Sequence, residues 1–327
     1  MRIVVALGGN ALGDTPSEQQ EKIKDAAGAL CQLVEEGHEL VLAHGNGPQV
    51  GKIQLAFDSA RTINHNLPYM PLPECTAMSQ GYIGFHLQKE LQNQLKEKNI
   101  HKSVVTLITQ VAVEREDPAF ENPTKPIGGF YTEQDAEHMM EQNKGWIFKE
   151  DAGRGWRRVV ASPKPVELLE TRSIRTLVER GNIVIACGGG GVPVTWDGNG
   201  RIVSVPAVID KDFAAEKLAE AVEADQLVIL TAVDRVCLDW GTPNQREVAE
   251  LSLESAQRYC REGQFAAGSM LPKVEAAIAF AEFGGEAIIA SLEQAAQALK
   301  GHSGTRIKAG RGTALGGGET AAFTGGH

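Results

Sequence analysis

Apolar positions along this chain follow two rhythms. Short unbroken runs such as Ile3-Val4-Val5-Ala6-Leu7 show no polar alternation, which predicts strands covered on both faces. Longer segments repeat at helical spacing. Ile23, Ala26, Ala27, Leu30, Leu33 and Val34 share one face of a helix predicted over Ser17 to Glu36, with Gly37 as its stop. Further strands are predicted over Glu39 to Ala43, Val104 to Thr109, Ile183 to Ala186, Leu227 to Leu230 and Ala287 to Ala290. Further helices are predicted over Leu168 to Arg180, Lys211 to Val222, and a segment with Pro272 in its first turn that reaches Phe283. Asp197-Gly198 marks a short hairpin.

Strands alternating with helices imply right-handed crossovers, hence an α/β fold whose mainly parallel sheet carries helices on both faces. Such sheets bind ligands beyond the carboxyl ends of their strands. Here three predicted strands run directly into Gly8-Gly9-Asn10, Gly45-Asn46-Gly47 and Gly188-Gly189-Gly190-Gly191. The rhythm breaks between Asp117 and Pro165, a stretch with five prolines and little helical period, read as a flap subdomain over the sheet edge. After Ile307 glycine dominates, and residues 310–327 are expected to be a disordered tail.

Composition narrows the chemistry. A hydrophobic share of 42% and a charged share of 23% are those of an ordinary globular chain, and the formal net charge of −10 disfavours nucleic acid and anionic membrane as partners. Five cysteines without metal-ligand spacing suggest free thiols in a cytoplasmic protein. No apolar run reaches membrane-spanning length.

Consecutive glycines let backbone N–H groups approach an anion, although a tight strand-to-helix turn uses the same residues. His44 to Lys52 fails as a P-loop, because Asn46 and Ile53 stand where Gly and Ser or Thr are needed. It also fails as a dinucleotide fingerprint, because Val50 replaces the third glycine. Asp210-Lys211-Asp212 and Lys273 sit at predicted helix starts. There they are either capping residues and solvated charge or a phosphate-facing set. His44 reads as a structural histidine and Cys187 as a small buried filler. Asp151 to Arg158 is a basic cluster that suits a solvated flap surface.

In order along the chain, Val5 to Asn10, His44 to Gly51, Asn122 to Gly128, Lys149 to Arg157, Ser162 to Pro165, Gly188 to Gly191, Val208 to Asp212 and Gly268 to Lys273 resemble carbamate kinases of the amino acid kinase superfamily. The resemblance implies a three-layer α/β/α sandwich with a protruding flap, and a homodimer. It implies phosphoryl transfer between ATP and carbamate. Gly8, Gly9, Asn10, Gly45, Asn46 and Gly47 would bind the acceptor, and Gly188, Gly189, Ala232, Val236 and Met270 the nucleotide. Lys211 and Lys273 would neutralise the phosphoryl oxygens, Asp210 would orient both, and Lys125 would close over the acceptor. Magnesium would ride on the nucleotide phosphates without a dedicated protein site. Relatives that act on amino acids generally carry a lysine two residues before the first glycine, and here that position is Ala6. Two other readings stay open: another small-acid kinase of this fold, and a non-catalytic nucleotide-binding protein.

Overall fold

The computed structural model describes residues 1–8, 15–151 and 153–309. The expected tail at 310–327 lies outside the described residues, as do Gly9 and Asn10. In chain order the elements are β1 (Arg2–Leu7), α1 (Pro16–Glu35), β2 (Glu39–His44), α2 (Gln49–Ile63), α3 (Leu72–Glu97), β3 (Val104–Thr106) and β4 (Gln110–Val113). Next come β5 (Lys125–Tyr131), α4 (Glu133–Gln142), β6 (Ile147–Glu150), β7 (Trp156–Val160), β8 (Pro165–Leu168), α5 (Thr171–Glu179), β9 (Ile183–Ile185), β10 (Val192–Trp196) and β11 (Ile202–Ser204). The last are α6 (Lys211–Ala221), β12 (Gln226–Thr231), β13 (Val236–Leu238), β14 (Arg246–Val248), β15 (Glu250–Ser252), α7 (Leu253–Arg261), α8 (Met270–Phe283), β16 (Glu286–Ser291), α9 (Ala295–Leu299) and β17 (Thr305–Lys308).

Eight strands form the main sheet in the order β15-β17-β16-β12-β1-β2-β9-β3, with only the β16–β17 pair antiparallel. Successive side chains of each strand enter opposite layers. Val4, Ala6, Val41 and Ala43 pack with Ala214 and Leu218 of α6 and Phe280 of α8. Ile3, Val5, Leu7, Leu40 and Leu42 pack with Leu30 of α1 and Leu87 of α3. Two covered faces explain the unbroken apolar strands, and the three-layer α/β/α architecture is the one expected.

β1, β2 and β9 are neighbours in this sheet, with Leu7 paired to His44 and Leu42 to Ile185. The strand ends that lead into the three glycine-rich segments therefore lie side by side at one sheet edge. Three smaller sheets complete the described fold: β11-β10-β4-β8, which contains the hairpin predicted at Asp197-Gly198, the two-stranded β13-β14, and the flap sheet β5-β7-β6. The flap also holds a helix, α4, where none was expected. Only Ala136 of α4 is buried, so there was no apolar stripe to reveal it. The strand expected over Val104 to Thr109 ends at Thr106, and the helix expected over Leu168 to Arg180 begins at Thr171, with Leu168 closing strand β8.

Candidate active site

The Gly188 to Gly191 turn is packed against neighbouring loops with no room for side chains. A Cβ at Gly188 would lie 2.5 Å from His44 Nε2, and one at Gly189 would lie 2.4 Å from Asn46 Nδ2. One at Gly190 would meet the Ile209 carbonyl oxygen at 2.1 Å. Gly189, Gly190 and Gly191 also hold φ between +65° and +90°, a region that favours glycine. A buried polar bracket fixes this turn from below. Gln80 exchanges two hydrogen bonds with the Thr109 backbone (2.8 and 3.2 Å), and the Cys187 N–H donates to Thr109 Oγ1 at 3.0 Å. His44 is buried beside it and held neutral, its pKa pushed down to about 4 by burial. Its Nδ1 lies 2.7 Å from the Gly45 carbonyl oxygen and so carries the proton. It is a structural histidine, as expected. The Cys187 thiol is fully buried and pushed up, which removes it as a nucleophile.

Above this turn lies a cleft of about 250 Å³. Its walls include Gly45, Asn46 and Gly47 after β2, Lys125 and Arg157 from the flap, Gly189, Asp210 to Asp212 at the start of α6, and Gly268, Ser269 and Lys273 at the start of α8. Four cations face two carboxylates there, so a chain of net charge −10 presents a cationic cleft. Three helices begin at it. Neither α2 nor α8 has a side-chain cap or an acidic residue in its first turn, which leaves their positive ends toward the cleft.

The ion pairs differ from expectation in one respect. Asp210 does not orient Lys211 and Lys273. Its Oδ2 takes Lys125 at 2.5 Å, while Oδ1 accepts the Asp212 N–H at 2.9 Å and caps α6. Burial pushes the Asp210 carboxyl up, but Lys125 with Lys211 outweighs it and holds the pKa at about 2. The carboxylate that holds the two lysines is Asp212, which is 2% exposed. It pairs with Lys211 and, at 2.9 Å, with Lys273. The reason is geometric: an N-cap side chain folds back onto the first-turn N–H groups, whereas the second residue of the helix points sideways toward α8. Burial, then the neighbouring Lys211, pushes the Lys273 pKa down. The aliphatic arm of Lys211 lies over Gly45, where a Cβ would come within 3.3 Å of Lys211 Cδ.

A second space of about 230 Å³ adjoins the cleft and shares Ser269 with it. Ala232 and Met270, expected at the nucleotide, line it. Val236 does not; it is fully buried, its N–H donating to Thr305 Oγ1 at 2.8 Å. Alternation along β13 turns its neighbours Arg235 and Cys237 into the space instead, with Trp240 and Phe265 on the far wall. Gly8 lies under this edge, a Cβ there coming 2.8 Å from the Leu230 carbonyl oxygen. Gly188 sits beneath the cleft against His44, and Gly189 in its wall.

A mainly apolar space lined by Ala232, Trp240, Phe265 and Met270 thus adjoins a lysine-lined polar cleft. The sequence matches the amino acid kinase family over residues 1–291. It is 54% identical over 314 residues to the carbamate kinase of Clostridium perfringens (strain 13 / Type A), covering 94% of this chain and 99% of that one. It is 50% identical over 308 residues to the carbamate kinase-like protein YqeA of Escherichia coli (strain K12), covering 94% and 98%. The fold is similar to that of Giardia lamblia carbamate kinase bound to AMP-PNP, with a TM-score of 0.87, 43% identity, and 94% and 98% of the two chains covered. The chain belongs to the amino acid kinase family and, within it, to the carbamate kinases. It is an ATP-dependent kinase, a transferase.

Proposed function

We propose that the cleft catalyses reversible phosphoryl transfer, ATP + carbamate ⇌ ADP + carbamoyl phosphate, and runs mainly toward ATP. The observation that carries this reading is the lysine set Lys125, Lys211 and Lys273 around a small cleft with no free base among the described residues. A carbamate oxygen is already anionic and needs no proton removed, so catalysis reduces to alignment and charge stabilisation. Lys211 and Lys273 bind the transferring phosphoryl oxygens once these displace Asp212 as their counter-ion. Lys125 comes down with the flap, trading Asp210 for the acceptor. The amide Asn46 and the turn Gly45 to Gly47 hold the planar anion, joined by the segment Gly8 to Asn10. The space beside Ala232 and Met270 takes the adenine.

Both cleft carboxylates are already engaged by lysines. Among the described residues no cluster of three metal-ligating side chains occurs. These residues fit a magnesium ion carried by the nucleotide phosphates, which supplies charge neutralisation when bound. In this reading the enzyme is cytoplasmic and serves arginine or nitrogen catabolism, downstream of a reaction that makes carbamoyl phosphate. Exposed apolar side chains on one helix face, Met78 (39% exposed) and Phe85 (58% exposed), favour a homodimer. Among the described residues no helix is long and apolar enough to cross a membrane.

A second acceptor would need different lining. Ala6, where amino-acid-specific kinases carry a lysine, is fully buried in the core, and among the described residues the acceptor wall offers no unpaired carboxylate for a substrate ammonium. An acceptor screen decides the matter. Phosphorylation of carbamate from ATP, with little product from glutamate, acetylglutamate or aspartate, is expected; robust phosphorylation of any of those three would overturn the reading.

A further inference from the structure

A cavity larger than the cleft lies apart from it. It measures about 540 Å³ and lies between α2 and the underside of the flap. Its lining joins two guanidinium groups, Arg61 and Arg158, to an aromatic wall of Tyr131, Trp146 and Phe148. Arg158 stands 3.8 Å over the Trp146 ring and donates to Gln54 Oε1 at 2.7 Å. The Nε atoms of both Arg158 and Arg61 are buried without a hydrogen-bond partner among the described residues. Buried guanidinium donors left unmatched are costly, and two in one cavity point to an acceptor that belongs there. Asp58, at the same wall, balances one of the two charges, and burial pushes its carboxyl toward the neutral form. His65 adds a further titratable group at the rim.

We propose that this cavity is a second site, separate from the catalytic cleft, for a small anion that carries an apolar or aromatic body. Arg61 and Arg158 take its oxygens, and the Tyr131 and Phe148 rings take its body. The site touches the cleft through one strand. β5 brings Lys125 to the cleft and Ile127, Gly128 and Tyr131 to the cavity, and Ile127 lines both. Beside it α2 and the flap meet without side chains, since a Cβ at Gly51 would lie 2.2 Å from Gly128 Cα. An occupant bridging α2 and the flap therefore pins the strand that carries Lys125.

The test is direct binding to the full chain by titration calorimetry, with benzoate as the probe and inorganic phosphate as the anion lacking a body. This readout does not depend on the catalytic reading. Saturable benzoate binding is expected, about tenfold tighter than phosphate at the same site. Arg61→Gln, which removes one charge-assisted contact, should weaken it about tenfold. Ser59→Phe, which fills the cavity from an exposed wall position and keeps both arginines, should abolish it. Benzoate should also slow proteolysis between 117 and 165. Absence of saturable binding, equal binding of the two anions, or binding that survives both substitutions overturns the site. Binding without protection of the flap overturns its coupling to Lys125.

Discussion

Replacing Asp212 with Asn tests the part of the site that the residue pattern did not reveal. Asp212 is buried and is the shared counter-ion of Lys211 and Lys273. The isosteric amide keeps the shape and removes the charge. Both ammonium groups reach one carboxylate, so they lie roughly 6 Å apart or less, and their uncompensated repulsion is about 3 kcal/mol at an effective dielectric near 20. Breaking a buried pair from one side costs a similar amount, about 3–5 kcal/mol. Asp212→Asn should therefore lower unfolding stability by about 3 kcal/mol in the free enzyme. Lys273, whose pKa is already pushed down by burial and Lys211, should titrate lower still. Turnover should fall about a hundredfold, because the lysines no longer sit where the phosphoryl oxygens arrive. ADP should recover much of the lost stability, its phosphates standing in for the missing carboxylate, so that the ligand-induced rise in Tm is larger in the variant than in the wild type. Urea unfolding with and without ADP, together with kcat and kcat/KM, reads all of this. Wild-type stability and an unchanged ADP effect would refute the shared counter-ion.

Other expectations follow from the same geometry. Lys211→Ala and Lys273→Ala should each reduce kcat about a hundredfold to a thousandfold with a much smaller change in stability, read by steady-state kinetics and urea melts. Lys125→Ala should impair transfer and leave ADP affinity nearly unchanged. It should also cost stability above pH 4 that disappears toward pH 2: the depressed Asp210 pKa stabilises the fold above the ordinary carboxylate value, and that contribution is lost as pH falls through about 2. Gly189→Ala must place a Cβ at φ +65° and 2.4 Å from Asn46, so a stability loss of about 1–3 kcal/mol is expected by thermal unfolding. Limited proteolysis should cut between 117 and 165 in the free protein and slow when ADP and carbamoyl phosphate are added; equal protection in both states would count against a moving flap.

What the residue pattern disclosed and what it hid have physical causes. The core strands and helices α1, α6 and α8 were legible because their apolar residues repeat at the period of the element that buries them. Helix α3 was not. It buries Leu72, Cys75, Ile83, Leu87, Leu91 and Leu95 at helical spacing, but Thr76, Ser79, Gln80 and Gly84 interrupt the stripe. They are small or polar because they face the Gly188 turn and β3, where a Cβ at Gly84 would meet Thr106 Cγ2 at 2.3 Å. Functional packing here erased the hydrophobic signal. The three glycine turns and the lysines were visible as types, and strand order placed them together. Which carboxylate serves which lysine was invisible, because Asp210 and Asp212 are equivalent in sequence and differ only in the direction each takes from the first turn of α6. Val236 lies outside the second space for a related reason: alternation along a three-residue strand, with no neighbouring pattern to fix its phase, decides whether it or Cys237 faces that space.

The central claim is that three lysines and a set of backbone donors move a phosphoryl group between a carbamate oxygen and ADP without a general base. The most direct measurement is ATP formation by the purified chain supplied with carbamoyl phosphate, ADP and magnesium. ATP should accumulate in proportion to carbamoyl phosphate consumed, and Lys125→Ala should lose most of that rate while still binding ADP. If no ATP forms from carbamoyl phosphate in a chain that binds ADP and is folded, the assignment of this cleft to carbamate is contradicted.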